Sequence, residues 1–121
     1  MLKEHKEFYT IDTENDWRPI PGYPDGVTEK LLTGHLDEVN NEGTRSRLLR
    51  FDPGAFTTVP FRHDYWEEVF LVSGDLTVGG KTFNPMTYAC RPPDVDHGPF
   101  KSDQGCILFE IHYFNPLSKD N

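Results

Sequence analysis

The chain has few cysteines and no long apolar segment. Its two cysteines, Cys90 and Cys106, do not form a Cys-x-x-Cys pair. Nothing near Met1 has the apolar core of a signal peptide or the length of a membrane span. We therefore expect a cytoplasmic protein, in which both thiols are free because disulfides are rare in reducing compartments. We also expect no membrane as a partner.

Positive charge is also scarce. The 121 residues carry 12 Lys and Arg against 20 Asp and Glu, which gives a formal net charge of −8. Proteins that bind a phosphate backbone or an anionic membrane surface need a basic patch. The composition therefore argues against nucleic acid as a partner.

Turn formers and aromatic residues are abundant: ten Pro, ten Gly, nine Phe and five Tyr. From residue 27 onward, short apolar segments alternate with turn signals such as Asp52-Pro53-Gly54, and no convincing amphipathic helix separates them. The predicted strands are 27–36, 45–51, 56–63, 67–78, 82–91 and 106–114. This pattern predicts one all-β domain, a sandwich or a closed barrel, because a chain of this length holds a single core.

Residues 1–26 lack this pattern and are predicted to form an irregular N-terminal arm, followed by a barrel at 27–116 and a tail at 117–121. The arm contains Phe8, Trp17 and Ile20, which are too apolar to leave in water. We therefore expect the arm to pack on the barrel or on a neighbouring subunit, and the protein to be a homodimer.

The predicted last strand, 106–114, alternates with a period of two. The odd-numbered residues from Ile107 to Tyr113 are all apolar or aromatic, and we interpret their face as core. The even-numbered face mixes apolar residues with Glu110 and His112, so it suits either a polar cavity or solvent. The simpler interpretation of His112 is a surface or edge-strand residue.

Three side chains, His63, Glu67 and His97, have the ligand types that a divalent transition metal selects. Pro60 and the strand-like residues after Glu67 argue against a helix through His63 and Glu67. A strand that ends near His63 and a second strand that starts at Glu67 would direct both side chains into one barrel, with Glu68 outside. His97 would reach them if its strand returns across an antiparallel sheet.

These residues resemble the motifs of the cupin family. The family's first motif ends in His, three or four residues, Glu, six residues and Gly, which His63, Glu67 and Gly74 fit. The second motif is Pro-x-Gly-x-x-His, which residues 92–97 fit with Asp94 in place of Gly. The region around it resembles the cupin domain of zinc-binding anti-sigma factors and the small acetylacetone-cleaving dioxygenases. The resemblance covers about residues 27–114 and implies a single-domain jelly-roll barrel, often dimeric, with a metal inside.

One position departs from the family motif, because the first His of its His-x-His is Phe61 here. Three remaining ligands would leave positions open for water, substrate or oxygen. The loss of a ligand equally suits an abandoned metal site in an empty polar barrel. If a metal is kept, Fe(II) or Zn(II) is favoured, and Mn(II) or Ni(II) would also fit.

Four residues are candidates for substrate contacts: Arg47, Phe61, Tyr65 and Trp66. Phe61 would form an apolar wall beside the open metal positions. Tyr65 and Trp66 would either line a pocket beside the ligands or simply cover one end of the barrel. An inward Arg47 would hold a substrate carboxylate or enolate, although we expect a solvated outer face for it.

The resemblance leaves two classes of function open. In the first, a metal enzyme takes a small oxygen-rich substrate such as a diketone and either cleaves it with O2, as a dioxygenase, or stabilises its enolate for isomerisation or decarboxylation. In the second, a non-catalytic module binds or senses a small molecule, with a structural zinc or with no metal. Cupins host many unrelated chemistries, so the fold alone does not decide between them.

Overall fold

The computed structural model describes residues 3–114, and this part of the chain contains strands and turns but no helix. The strands are β1 (Arg18–Pro19), β2 (Val27–Asp37), β3 (Glu42–Phe51), β4 (Trp66–Gly74), β5 (Leu76–Val78), β6 (Lys81–Phe83), β7 (Tyr88–Arg91), β8 (Phe100–Lys101) and β9 (Cys106–Tyr113). The predicted barrel end at 115–116 and the predicted tail at 117–121 lie outside the described residues. Within residues 3–114 there is no helix long and apolar enough to cross a membrane.

The strands form two antiparallel sheets. One has six strands in the order β1, β2, β3, β9, β4, β7, and the other has three in the order β6, β5, β8. Both sheets contribute to one hydrophobic core, which contains Val27, Leu49, Phe51, Ala55, Val69, Leu71, Leu76, Cys106 and Leu108. Val78, Phe83 and Phe100 of the smaller sheet pack against it. This arrangement confirms the prediction of an all-β domain.

The faces of β4 are as predicted. Glu67, Val69 and Leu71 are buried, whereas Glu68 lies on the outer face. The strand ends at Gly74, which has a φ of +83° and whose backbone closely approaches the neighbouring chain. A Cβ atom there would lie 1.9 Å from the carbonyl oxygen of Gly105. Only glycine fits this position, which accounts for the glycine at the end of the first motif.

The faces of β9 are the reverse of the prediction. Cys106, Leu108, Glu110 and His112 are buried and point into the barrel, whereas the alternate residues from Ile107 to Tyr113 are only half-buried. The expectation that His112 lies at the surface is therefore wrong, because its side chain is fully buried. The outer face is also apolar, so hydrophobicity alone does not distinguish the two sides of this strand.

The predicted strand at 56–63 is not a regular strand. It pairs through two isolated bridges, Phe56 with Lys101 and Phe61 with His97. Pro60 lies directly before Phe61 and has no N–H group to donate to a ladder. The segment therefore runs antiparallel beside residues 97–102 as an irregular connection, and the second of its bridges positions His97.

Candidate metal centre

His63, Glu67 and His97 come from three different segments and meet inside the barrel. Glu67 lies on β4, His63 lies in the connection that precedes it, and His97 lies between β7 and β8. Each of the three offers a ligand atom, and these atoms all lie within 4.8 Å of one another. The structure therefore brings together the three residues that the sequence selected as a metal site.

Backbone pairing fixes the two histidines relative to each other. The N–H groups of Phe61 and His97 each donate to the other residue's carbonyl oxygen at 2.7 Å, and Asp94 N donates to the carbonyl oxygen of His63 at 2.8 Å. Asp94 occupies the motif's glycine position with a φ of +65°, a left-handed conformation that Asp tolerates better than most residues. Its backbone therefore supplies the same turn that glycine would give.

His97 has no hydrogen-bond partner for either ring nitrogen, although both atoms are buried. Its Nδ1 lies 3.3 Å from Glu67 Oε1, but not in hydrogen-bonding geometry. A buried polar atom without a partner is costly and rare in a native protein. Two imidazoles and a carboxylate are suitable ligands for a divalent transition metal, so the residues present fit such an ion.

The two oxygens of the Glu67 carboxylate have different surroundings. Oε1 faces His97, whereas Oε2 accepts a hydrogen bond from His112 Nε2 at 2.9 Å. Burial opposes ionisation of this carboxyl, but the hydrogen bond from His112 together with the nearby rings of His97 and His63 outweighs it and holds the pKa of Glu67 well below its usual range. Burial also lowers the pKa of His63. Both shifts favour the deprotonated forms that bind a metal.

His112 is the site residue that the sequence interpretation missed. Its Nδ1 lies 3.1 Å from Arg45 Nε and 2.9 Å from Arg45 Nη2. A guanidinium has only donors, so Nδ1 must be the acceptor and the ring proton must reside on Nε2. His112 is therefore a neutral donor to Glu67. The sequence contains one signal for it: His112 follows Glu110 by two residues, so the two polar side chains share one face of β9.

A second group of metal-ligand types consists of Glu67, Glu110 and His112, all buried. Arg47 Nε donates to Glu110 Oε1 at 2.9 Å, and Arg47 Nη1 donates to Glu29 at 2.9 Å. Burial and the charge of Glu67 oppose ionisation of Glu110, but the Arg47 guanidinium and His112 together outweigh them and lower its pKa. Because Arg47 and the His112 proton already occupy these ligand atoms, the cluster is a salt-bridge network rather than a metal site.

The predicted substrate residues have different positions. Arg47 is buried, contrary to the solvated face expected for it, and its donors are engaged by Glu29 and Glu110. Tyr65 is also buried and packs between the rings of His63 and His112, at centroid distances of 4.6 and 4.7 Å. Trp66 precedes Glu67 on β4 and so lies on its outer face, opposite the ligand.

Aromatic rings line one side of the site. Tyr23 from the arm stacks on Phe61 at 4.4 Å, Phe61 stacks on His63 at 6.5 Å, and His63 stacks on Tyr65. A small inner cavity of about 30 Å³ adjoins His63, Glu67 and His97. This volume accommodates only about two water molecules.

The sequence profile of the ChrR cupin-like domain matches residues 5–114. The chain belongs to the ChrR cupin-like domain family. This match confirms the resemblance to cupins that the motifs around His63 and His97 indicated. None of the curated proteins matches this cupin in sequence.

Solved cupin structures share its fold. An RmlC-like cupin from Shewanella frigidimarina is 24% identical, with a TM-score of 0.64, over 99% of this chain and 98% of that chain. An acetylacetone dioxygenase from Acinetobacter johnsonii is 19% identical, with a TM-score of 0.64, over 98% of this chain and 83% of its own. A chain of the Rhodobacter sphaeroides complex of SigE with the anti-sigma ChrR is 17% identical, with a TM-score of 0.60, over 83% of this chain and 50% of that chain. At these identities the likeness establishes the all-β cupin fold.

Proposed function

We propose that His63, Glu67 and His97 bind one divalent transition metal, and that the protein is a metal-dependent dioxygenase for a small oxygen-rich substrate such as a diketone. The observation that carries the metal is the His97 ring, which is buried and has two nitrogens without a partner. Fe(II) and Zn(II) suit this ligand set best, and Mn(II) or Ni(II) would also fit.

Three protein ligands leave coordination positions for a substrate and for O2, and bound Fe(II) would supply oxygen activation for C–C bond cleavage. The residues of the chain prepare the site for this. His112 holds Oε2 of Glu67, so that Oε1 stays turned toward His97. Phe61 and Tyr65 flank the His63 ring and limit the access of water to it.

The choice of dioxygenase over other cupin reactions rests on similarity. One of the neighbouring structures is an acetylacetone dioxygenase, with which this chain aligns over 98% of its length. A diketone in its enolate form presents two oxygens and suits a metal with open positions. An isomerase or decarboxylase that uses the metal as a Lewis acid would need the same ligands.

The test is to purify the protein anaerobically without chelator, measure its metal content, and follow O2 consumption with acetylacetone after loading with Fe(II). About one iron per chain and O2 uptake that depends on acetylacetone would support the proposal. His97→Ala should lose both, and Val39→Ala should retain both, because Val39 is 91% exposed in the β2–β3 turn. Protein that retains no metal after loading would overturn it.

The second candidate is a non-catalytic module that binds a small molecule, with a structural zinc or with no metal. Two observations favour it: Phe61 stands where the family motif has a histidine, and the inner cavity measures only about 30 Å³. Stoichiometric metal without O2 uptake, across several diketones, would decide for this candidate and against the dioxygenase.

A further inference from the structure

A second, larger pocket lies beside the metal cavity. It has a volume of about 720 Å³, and it is formed by the connection before β2, by residues 52–59 and by Phe61. Tyr23 and Phe61 line both this outer pocket and the inner cavity. Their rings stack at 4.4 Å with an interplanar angle of 13°, so the stacked pair is the wall that separates the two spaces.

The sizes of the two spaces differ in a way that matters for a ligand. The outer pocket is in the range of sites for organic molecules, about 300–1,000 Å³. The inner cavity holds about two waters and has no room for a diketone. An organic ligand that passes from the outer pocket to His63 and His97 must therefore displace or part the Tyr23–Phe61 pair.

The outer pocket also has a definite chemistry. Phe56, Val59, Tyr23 and Phe61 give it an apolar surface, and both Phe56 and Val59 are more than half exposed. Of the described residues that line it, none is Lys, Arg or His, and the charged ones are Asp25 and Asp52. Such a pocket suits a neutral apolar group and disfavours an anionic one.

The backbone around Tyr23 is built as a turn between two glycines. Gly22 and Gly26 have φ values of +85° and +88°, and Tyr23 N donates to the carbonyl oxygen of Ile20 at 3.0 Å. Burial raises the pKa of Tyr23 to about 12, with a further contribution from the charge of Glu110, so its hydroxyl stays protonated. Tyr23 therefore covers the barrel as a neutral ring on a short loop.

We propose that the outer pocket is the subsite for an apolar tail of the substrate, and that the stacked pair Tyr23 and Phe61 is the gate through which the oxygen-bearing head reaches the metal. This inference rests on the proposed metal site and makes its substrate class specific. The substrate carries a neutral apolar or aromatic group next to its metal-binding oxygens. Tyr23 and Phe61 determine which heads enter, and Phe56 and Val59 determine which tails are held.

The experiment compares two diketones that differ only in the tail. Zinc-loaded protein, in which the redox-inactive metal cannot activate O2, is titrated with acetylacetone and with benzoylacetone. We expect benzoylacetone to bind at least about tenfold more tightly, since burial of a phenyl group contributes more than one factor of ten. Val59→Asp and Phe56→Asp should reduce this preference to less than about threefold, whereas Val39→Asp should leave it unchanged.

Tyr23→Ala tests the gate separately. The association rate of both diketones should rise at least about tenfold, while the zinc content of the variant stays that of the wild type. Equal affinities for the two diketones in the wild type, or an unchanged preference in both Asp variants, would overturn the tail subsite. An unchanged association rate in Tyr23→Ala would overturn the gate.

Failure of the metal site can be told apart from failure of this inference. Zinc content is measured first. If the protein holds no zinc, the proposed function is wrong, but the outer pocket can still be tested. The neutral fluorophore Nile red then probes the outer pocket in metal-free protein. Binding in the wild type and in Val39→Asp but not in Phe56→Asp supports the subsite. Absence of binding, or binding that falls as protein concentration rises because a second copy fills the pocket, contradicts it.

Discussion

His112 donates its Nε2 proton to Oε2 of Glu67 at 2.9 Å. The ring comes from the last strand and the carboxylate from β4, and the two residues face each other in the register of these strands. Arg45 on β3 holds the opposite side of the same ring. Three adjacent strands thus orient one carboxylate, and only its Oε1 remains to face His97.

Replacement of His112 by Leu should weaken zinc binding by about 10- to 100-fold, because Glu67 loses the donor that orients and stabilises its charge. His112→Gln retains an N–H donor and should recover part of the affinity. Competition with a chromogenic chelator gives the dissociation constants. Tyr113→Phe is the matched control, since it removes a hydroxyl that donates to Glu68 on the outer face of the sheet. Equal affinity in His112→Leu and in the control would refute this role.

Arg45 should determine the tautomer of His112. In the wild type we expect the proton on Nε2, because the guanidinium offers only donors to Nδ1. Arg45→Glu places an acceptor beside Nδ1 while Glu67 still accepts from Nε2, so both ring nitrogens of His112 should carry a proton in this variant. Long-range ¹H–¹⁵N correlation spectra of the imidazoles distinguish the two forms. The same protonation state in both proteins would contradict the assignment.

The sequence predicted β4 and its ligand better than β9 and its histidine. On β4 the inward face carries Glu67, Val69 and Leu71, and the strand ends at the motif glycine. The family motif and the period of two therefore both indicate that Glu67 points inward. On β9 both faces carry apolar residues, and the inward one also carries two polar groups. Periodicity then cannot decide which side is buried.

The buried charges show the same limit. Arg47 is inside the barrel because Glu110, 63 positions away in the chain, pairs with it. Single-sequence reasoning treats an isolated arginine as a surface residue, and the compensation by a distant carboxylate becomes visible only once the strands are paired. The substitution of a motif histidine by Phe61 was visible from the sequence, but its stacking on Tyr23 of the arm was not.

The two cysteines should differ sharply in reactivity. Burial raises the pKa of Cys106 to about 11, whereas Cys90 is exposed. At pH 8 iodoacetamide should therefore label one thiol per chain in the native protein and two in urea, as counted by mass spectrometry. Cys90→Ser should give no label without urea. Rapid native labelling of Cys90→Ser would contradict this difference.

The raised pKa of Cys106 also has a consequence for stability. An unfolded thiol has a pKa near 8.5, about 2.5 below the value of about 11 for the buried Cys106. The neutral thiol therefore favours the folded state fully below about pH 8.5, and its contribution is lost as the pH rises toward about 11. Over this pH range the free energy of unfolding, measured by urea denaturation, should therefore fall less steeply in Cys106→Ala than in the wild type.

The arm should mediate a homodimer. Phe8 has a relative exposure of 105%, and the arm's contacts with the barrel include single hydrogen bonds from Lys3 to Ser46 and from Glu4 to Thr33. A fully exposed phenylalanine favours burial against a second copy. Light scattering at micromolar concentration should give the dimer mass, and Phe8→Asp should shift it toward the monomer. A wild-type monomer would be fatal to this prediction.

The final prediction concerns Phe61, which stands where the family motif has its first histidine. Its backbone pairs with His97, and its ring stacks on His63 from the same side of the segment. Replacement by His should therefore add a fourth ligand, a third imidazole, to a largely preformed site and tighten zinc binding at least about tenfold.

Two further variants show whether the three proposed ligands hold the metal at all. His63→Ala and His97→Ala each leave two ligands, which rarely retain a divalent ion against buffer, so their zinc content should fall to a small fraction of one per chain. All four proteins are dialysed identically before elemental analysis. Full zinc occupancy in both alanine variants would eliminate this site. A fall in both alanine variants without a gain in Phe61→His would instead mean that the Phe61 side chain does not point at the metal, because an added imidazole can strengthen the site only from within bonding distance.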